Sequence, residues 1–124
     1  MQTASILERH IQISSNSDPE FIVSRVIIDF GIPPHIRGYA FIREAILLLI
    51  QDYSIINSVT KNIYPEIAKK YNSTSTRVER AIRHAIEISW DMESKNKLRT
   101  YFPDNNVRPT NTEFLEFLYK WVCI

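Results

Sequence analysis

Apolar residues recur along most of this chain at spacings of three and four, the period at which one face of an α-helix meets a core. In "PEFIVSRVIIDFG" the residues Phe21, Ile22, Val26, Ile27 and Phe30 follow that rhythm. Ser17 or Asp18 stands where a helix cap belongs, Pro19 at or near the first helical position, Glu20 in the first turn and Gly31 where the helix must stop. "IPPHIRG" cannot continue it, because Pro33 and Pro34 lack an N–H and restrict the residues before them; the segment is a corner. From about Gly38 to Asp52 the pattern is apolar nearly all round in its second half, which predicts a central helix packed on several sides.

Beyond it, Ile63, Ile67, Ala68 and Tyr71 keep helical spacing, and Pro65 marks either a helix start or a local irregularity. "TSTRVERAIRHAIEISW", residues 74 to 90, predicts one helix whose apolar stripe is Val78, Ala81 or Ile82, Ala85, and Ile88 or Ser89. Its start fits a capping box at Thr76 and Glu79, with Ser75 or Thr74 as alternative caps. A short helix is expected within 93 to 101, turns at "PDNN" and "RP", and a last helix, "TEFLEFLYKWV", capped by Thr110 or Asn111. No period-2 run of useful length appears and the chain has two glycines, so the pattern predicts an all-α fold.

The two helices around "YNSTST" fit a helix-turn-helix. Ala68 lets a second helix pass close to the first, the polar turn is short, and Val78, ten residues on, is the first buried position of that second helix. Ile67, Tyr71, Val78 and Ile82 would close the wedge between them. The outer face then carries Arg77, Arg80 and His84 at spacings of three and four, flanked by Glu79 and Arg83. In a DNA-binding helix-turn-helix the N-terminal half of the second helix reaches base edges, and an arginine fork can donate two hydrogen bonds to guanine. Lysines, turn hydroxyls and the helix N-terminus suit phosphates. A bland alternative stands beside this: Glu79 and Arg83, or Arg83 and Glu87, are i, i+4 pairs that support a solvated helix by a few tenths of a kcal/mol.

Charge sharpens the picture. The chain as a whole carries only +1, yet residues 61 to 83 hold six bases (Lys61, Lys69, Lys70, Arg77, Arg80, Arg83) against two acids (Glu66, Glu79). That local excess is the footprint expected of a phosphate-binding surface. With 124 residues and 44% hydrophobic content the chain suits one domain with a real core. No stretch approaches the roughly 20 apolar residues of a membrane span, and the N-terminus lacks the pattern of an export signal, so a cytosolic protein with no membrane partner is expected. A lone Cys123 excludes an internal disulfide and a cysteine-based zinc site. His10, His35 and His84 are far apart, with no partner at metal-ligand spacing, and the chain has neither a Gly-rich phosphate loop nor a nucleophile motif. Neither an enzyme nor a cofactor is expected. Tyr39, Phe41, Trp90, Phe114, Phe117 and Trp121 lie on helical stripes, as core or dimer-contact residues; Phe117 and Trp121, on the last helix, are the candidates for self-association.

"YPEIAKKYNSTSTRVERAIRHAIEISW" closely resembles the C-terminal effector domain of the sporulation master response regulator, stage-zero sporulation protein A. "FGIPPHIRGYAFIREAI" upstream and "RPTNTEF" downstream match that family in the same order, and the likeness runs over about residues 20 to 119. It implies a six-helix domain whose helix-turn-helix binds double-stranded DNA at TGTCGAA-type boxes, as head-to-tail pairs on tandem sites. By matching position it implies Arg77, Glu79 and Arg80 as major-groove readers. Arg83, His84 and turn residues fall near the backbone, where Lys69, Lys70, Ser73, Ser75 and Thr76 complete the expected phosphate contacts. Thr76 stands where the family generally has serine. The family's receiver domain is missing from this sequence, which suggests an excised effector domain or a stand-alone relative: an N-terminal extension over 1–18 and an effector domain over 19–124. Residues 91 to 108 match poorly; in the family that region helps contact the RNA polymerase sigma factor. "ASILERHIQI" fits a short amphipathic helix or a tail. A protein-interaction module, antagonising a related regulator or binding the sigma factor without DNA, is the competing expectation.

Overall fold

In the computed structural model of the chain, the described residues are 18–92, 97–102 and 107–123. They form six α-helices: α1 (Pro19–Asp29), α2 (Arg37–Gln51), α3 (Tyr64–Lys70), α4 (Ser75–Asp91), α5 (Lys97–Tyr101) and α6 (Asn111–Cys123). Among the described residues there is no strand, so the fold is the all-α one that the periodicity predicts, with the six helices that the family resemblance implies. The expectations for residues 1–17, 93–96 and 103–106 fall outside the described residues.

The start of α1 follows its sequence closely. Asp18 is the cap, its Oδ1 accepting the Phe21 amide at 3.1 Å, and Pro19 takes the first helical position. At the other end Gly31 adopts φ +86°. The Gly31 and Ile32 amides return to the Ile28 and Ile27 carbonyls, the paired bonds of a Schellman stop. The Phe30 carbonyl, left over at this end, accepts a hydrogen bond from the buried hydroxyl of Ser89 on α4. A serine inside an apolar stripe thereby satisfies a backbone oxygen that would otherwise be buried unpaired.

Helix α2 is the core helix. Tyr39, Phe41, Ile42, Ala45, Ile46 and Leu49 are buried, and Leu47, Leu48 and Ile50 are half-buried on the remaining sides. Gly38, near its start, lies where α2 passes close against α4. A methyl group there would run into the Ala81 carbonyl and lie 2.7 Å from the Ala85 Cβ. This is a close-approach glycine, required by packing rather than by dihedral angle.

The stretch between α2 and α3 answers the question that Pro65 poses. Asp52 caps a 3-10 turn over Tyr53–Ser58, and Val59–Ile63 winds as one π turn in which the Tyr64 amide bonds to the Val59 carbonyl. Pro65 enters as the second residue of α3. A proline has no N–H for the ladder and its ring crowds the carbonyl four residues back; the wider π turn just before it reroutes the backbone around both problems.

A second cluster closes the bundle at α6. Phe30 packs edge-on against Phe117 and Trp121, with ring centroids 5.4 and 5.6 Å away, and Tyr101 stands 5.0 Å from Trp121. The Lys97 ammonium lies 5.0 Å above the Phe30 ring. Trp121 is 7% exposed and Phe114 is fully buried. The aromatic surface once available on α6 is therefore largely taken up within the chain.

Candidate nucleic-acid interface

Helices α3 and α4 are joined by a turn whose geometry the residues dictate. Asn72 takes φ +52°, the left-handed region that asparagine tolerates better than other non-glycine residues. The Asn72 amide bonds to the Lys69 carbonyl at 3.4 Å and the Ser73 amide to the Ala68 carbonyl at 2.8 Å, again the two bonds of a Schellman stop. Asn72 thus does for α3 what Gly31 does for α1. It was legible only as part of a polar turn, since asparagine is a weaker stop signal than glycine.

The cap of α4 differs from the expected capping box at Thr76 and Glu79. Thr74 is the cap: its Oγ1 accepts the Arg77 amide at 3.2 Å, and its carbonyl accepts the Val78 amide at 2.9 Å. Starting the helix at Ser75 leaves Thr76 inside the first turn and exposed. The Glu79 carboxylate, freed from capping, pairs with Arg83 at 3.1 Å. The reciprocal box occurs instead on α6. There the Thr110 amide donates to Glu79's counterpart, Glu113, at 2.9 Å, and the Glu113 amide donates to the Thr110 hydroxyl at 3.1 Å.

With that start, α4 turns Val78, Ile82, Ala85, Ile86, Ser89 and Trp90 inward. Ile67 and Ala68 of α3 are buried against the same core, while Tyr71 is half-buried with its ring 5.3 Å from that of Phe41. The wedge of the helix-turn-helix therefore contains the expected residues, and Ile86 and Trp90 extend it beyond the expected stripe.

The outer face divides into paired and unpaired cations. Arg83 is held by Glu79, and the His84 Nδ1 lies 3.7 Å from the Glu87 carboxylate, an ion pair only when His84 is protonated. Glu87 also receives Arg108, at 3.2 Å. Lys70 is bound to Glu44 at 2.9 Å, and that carboxylate holds its ammonium above the usual lysine range. Lys69, Arg77 and Arg80 are exposed, and among the described residues no carboxylate pairs with any of them. Ser75 is half-buried at the start of the helix. The Ser73 hydroxyl is buried without a hydrogen-bond partner, so it does not present itself to solvent as the turn's other hydroxyls do. Phe117 and Trp121 lie in the aromatic cluster, away from this face.

Sequence reasoning passed over Asn111 except as a cap. Its Nδ2 donates to the Tyr64 hydroxyl at 2.9 Å and to the Glu79 carbonyl at 3.1 Å, reaching both helices of the motif from the first turn of α6. Beside it, Thr60, Tyr64, Glu79, Arg83, Arg108 and Thr112 are among the residues that line an open groove along the flank of α4.

Among the described residues no group of His, Cys, Asp or Glu could hold a metal ion, and no helix is long and apolar enough to cross a membrane.

Two packed helices, a tight turn, and a second helix whose N-terminal half projects unpaired arginines make up a helix-turn-helix of the class that grips duplex DNA. Residues 23–122 match the family "Sporulation initiation factor Spo0A C terminal", and the chain belongs to that family. It is a DNA-binding effector domain of the sporulation-regulator type, from a family of DNA-binding domains rather than of enzymes.

Proposed function

We propose that this protein is a sequence-specific transcription regulator that reads TGTCGAA-like promoter boxes with the first two turns of α4. The observation that carries this reading is the pair Arg77 and Arg80, exposed and, among the described residues, without carboxylate partners in the half of the helix that a helix-turn-helix presents to the major groove. Arg77 and Arg80 donate to guanine edges. Glu79 accepts from a cytosine amine once Arg83 turns from it to a phosphate. Lys69, Thr76 and the first amides of α4, which have no acceptor inside the helix, hold the DNA backbone, with Lys70, Ser75, Arg83 and His84 at its margins. Two copies bind tandem boxes head to tail, and RNA polymerase sigma factor is the protein partner that the family likeness suggests. The effector unit spans residues 19–124, with 1–18 as an extension.

The test is binding to a duplex with two tandem TGTCGAA-type boxes and to a scrambled duplex, at two salt concentrations. A preference of about a hundredfold or more that persists at the higher salt is expected, because purely electrostatic binding falls steeply with salt and ignores sequence. Equal, weak and salt-sensitive binding to both duplexes would overturn base reading. It would favour a module that acts on a related regulator or on the sigma factor by protein contact alone.

A further inference from the structure

We propose that Asn111 is a positioning residue for DNA reading, a strut from α6 that fixes the angle between the two helices of the helix-turn-helix; the inference rests on base reading by α4. Its amide nitrogen has two hydrogens and both are used, one on the Tyr64 hydroxyl of α3 and one on the Glu79 carbonyl of α4. A carbonyl oxygen can only accept, so the nitrogen, not the oxygen, of the Asn111 amide must face Glu79. Burial pushes the Tyr64 phenol above the usual tyrosine range, so that partner stays protonated and neutral.

The place of attachment gives the strut its consequence. Glu79 lies between Arg77 and Arg80, so the strut grips the backbone of the very turn that carries the unpaired arginines. Guanidinium forks discriminate bases only when held to within about half an ångström, and long side chains magnify any tilt of the helix beneath them. The hydrophobic wedge of Ile67, Val78 and Ile82 holds the helices together but is non-directional; the two hydrogen bonds of Asn111 supply direction. The strut is itself anchored, because the reciprocal Thr110–Glu113 box secures the turn from which Asn111 reaches out. Two turns further along α4, Arg108 from the same segment pairs with Glu87 and braces the helix a second time.

Asn111→Asp separates this role from simple stability. Aspartate at the first position of α6 favours the helix start, yet it removes both donor hydrogens and sets a carboxylate against the Glu79 carbonyl. Thr112→Asp adds the same charge at an exposed neighbour and serves as the control. The readout is the ratio of affinity for the tandem-box duplex to affinity for the scrambled duplex, which cancels the effect of added charge on DNA binding in general. Asn111→Asp should lower that ratio about tenfold with little change in melting temperature, Thr112→Asp should leave it unchanged, and Tyr64→Phe, which removes one anchor, should fall between. An unchanged ratio in Asn111→Asp, or equal losses on both duplexes, would overturn the positioning role while leaving base reading in place. A wild-type protein with no preference would overturn base reading and this inference with it. If Asn111→Asp does not fold, the ratio for Tyr64→Phe decides.

Discussion

Helices α4 and α6 carry similar sequence signals and use them in opposite ways. Each opens near a threonine followed three residues later by glutamate, and each has an apolar stripe with a buried tryptophan near its end. In α6 the threonine and glutamate close on each other as a capping box, and the aromatic side chains pack inward on Phe30 and Tyr101. In α4 the cap lies two residues before the Thr-x-x-Glu, so the glutamate falls to a salt bridge and, among the described residues, the exposed face keeps two arginines without a carboxylate partner. One helix completes the core; the other leaves its charges available. What separates them is where the glutamate falls relative to the cap: Glu113 stands three residues after Thr110, whereas Glu79 stands five after Thr74, a cap fixed by the Schellman stop at Asn72 and the bond from the Arg77 amide.

The largest effect that tests this division is in the core. Phe114→Ala should destabilise the fold by about 3–5 kcal/mol, since a fully buried ring leaves a cavity that the bundle cannot wholly collapse; chemical denaturation measures it. Trp121→Ala should behave similarly, so any loss of partner binding in that variant would follow from unfolding rather than from a lost contact surface. A Trp121 variant that kept full stability would show that α6 contributes less to the core than its burial implies.

Arg80→Ala should invert that result. Stability should stay within about 0.5 kcal/mol of the parent, because the side chain is exposed and among the described residues has no carboxylate partner to lose. Binding to the cognate duplex should weaken by about 1–3 kcal/mol and discrimination should relax at one base pair, as titration against single-base variants of the box would show. Equal binding to cognate and variant duplexes by the parent and the mutant alike would remove Arg80 from base reading.

The third comparison concerns the caps. Thr110→Ala and Thr74→Ala should each cost about 1 kcal/mol of stability, with Thr110 the larger because a reciprocal pair is broken. Thr76→Ala should cost almost none of it, since Thr76 caps nothing. A stability loss at Thr76 equal to that at Thr74 would restore the cap that the sequence first suggests.

These caps also mark how far the sequence could be read. Helical periodicity located α1, α2, α4 and α6 and the wedge of Ile67, Val78 and Ile82, because burial on one face leaves a period that propensity alone does not. Local signals with several solutions were harder. Three hydroxyl residues in a row, Thr74, Ser75 and Thr76, can all cap, and the Schellman stop at Asn72 together with the packing of Val78 decides among them. The π turn before Pro65 leaves no residue signal beyond the proline itself. The strut from Asn111 joins residues 32 and 47 positions apart, and no local pattern points to such a pair. The pairing of Glu79 with Arg83 was one of two i, i+4 alternatives legible in the sequence, and only the structure shows that it is the one formed, leaving Arg77 and Arg80 without a carboxylate partner among the described residues.

The smallest expected effect separates Lys69 from Lys70, which the sequence presents as equals. Lys69 is exposed and, among the described residues, without a carboxylate partner, whereas Lys70 is bound to Glu44, a side chain only 13% exposed. To reach a phosphate, Lys70 must first leave that pair, and surface pairs of this kind are worth about 0.2–1 kcal/mol. Lys69→Ala should therefore weaken binding to cognate and scrambled duplexes alike and flatten the dependence on salt. Lys70→Ala should do the same more weakly. Glu44→Gln should free the Lys70 ammonium and strengthen binding to every duplex by about twofold, a gain that shrinks as salt screens the phosphates. If Glu44→Gln left affinity unchanged while Lys70→Ala lowered it as much as Lys69→Ala, the pair with Glu44 would be no restraint, and both lysines would belong to the phosphate surface on equal terms.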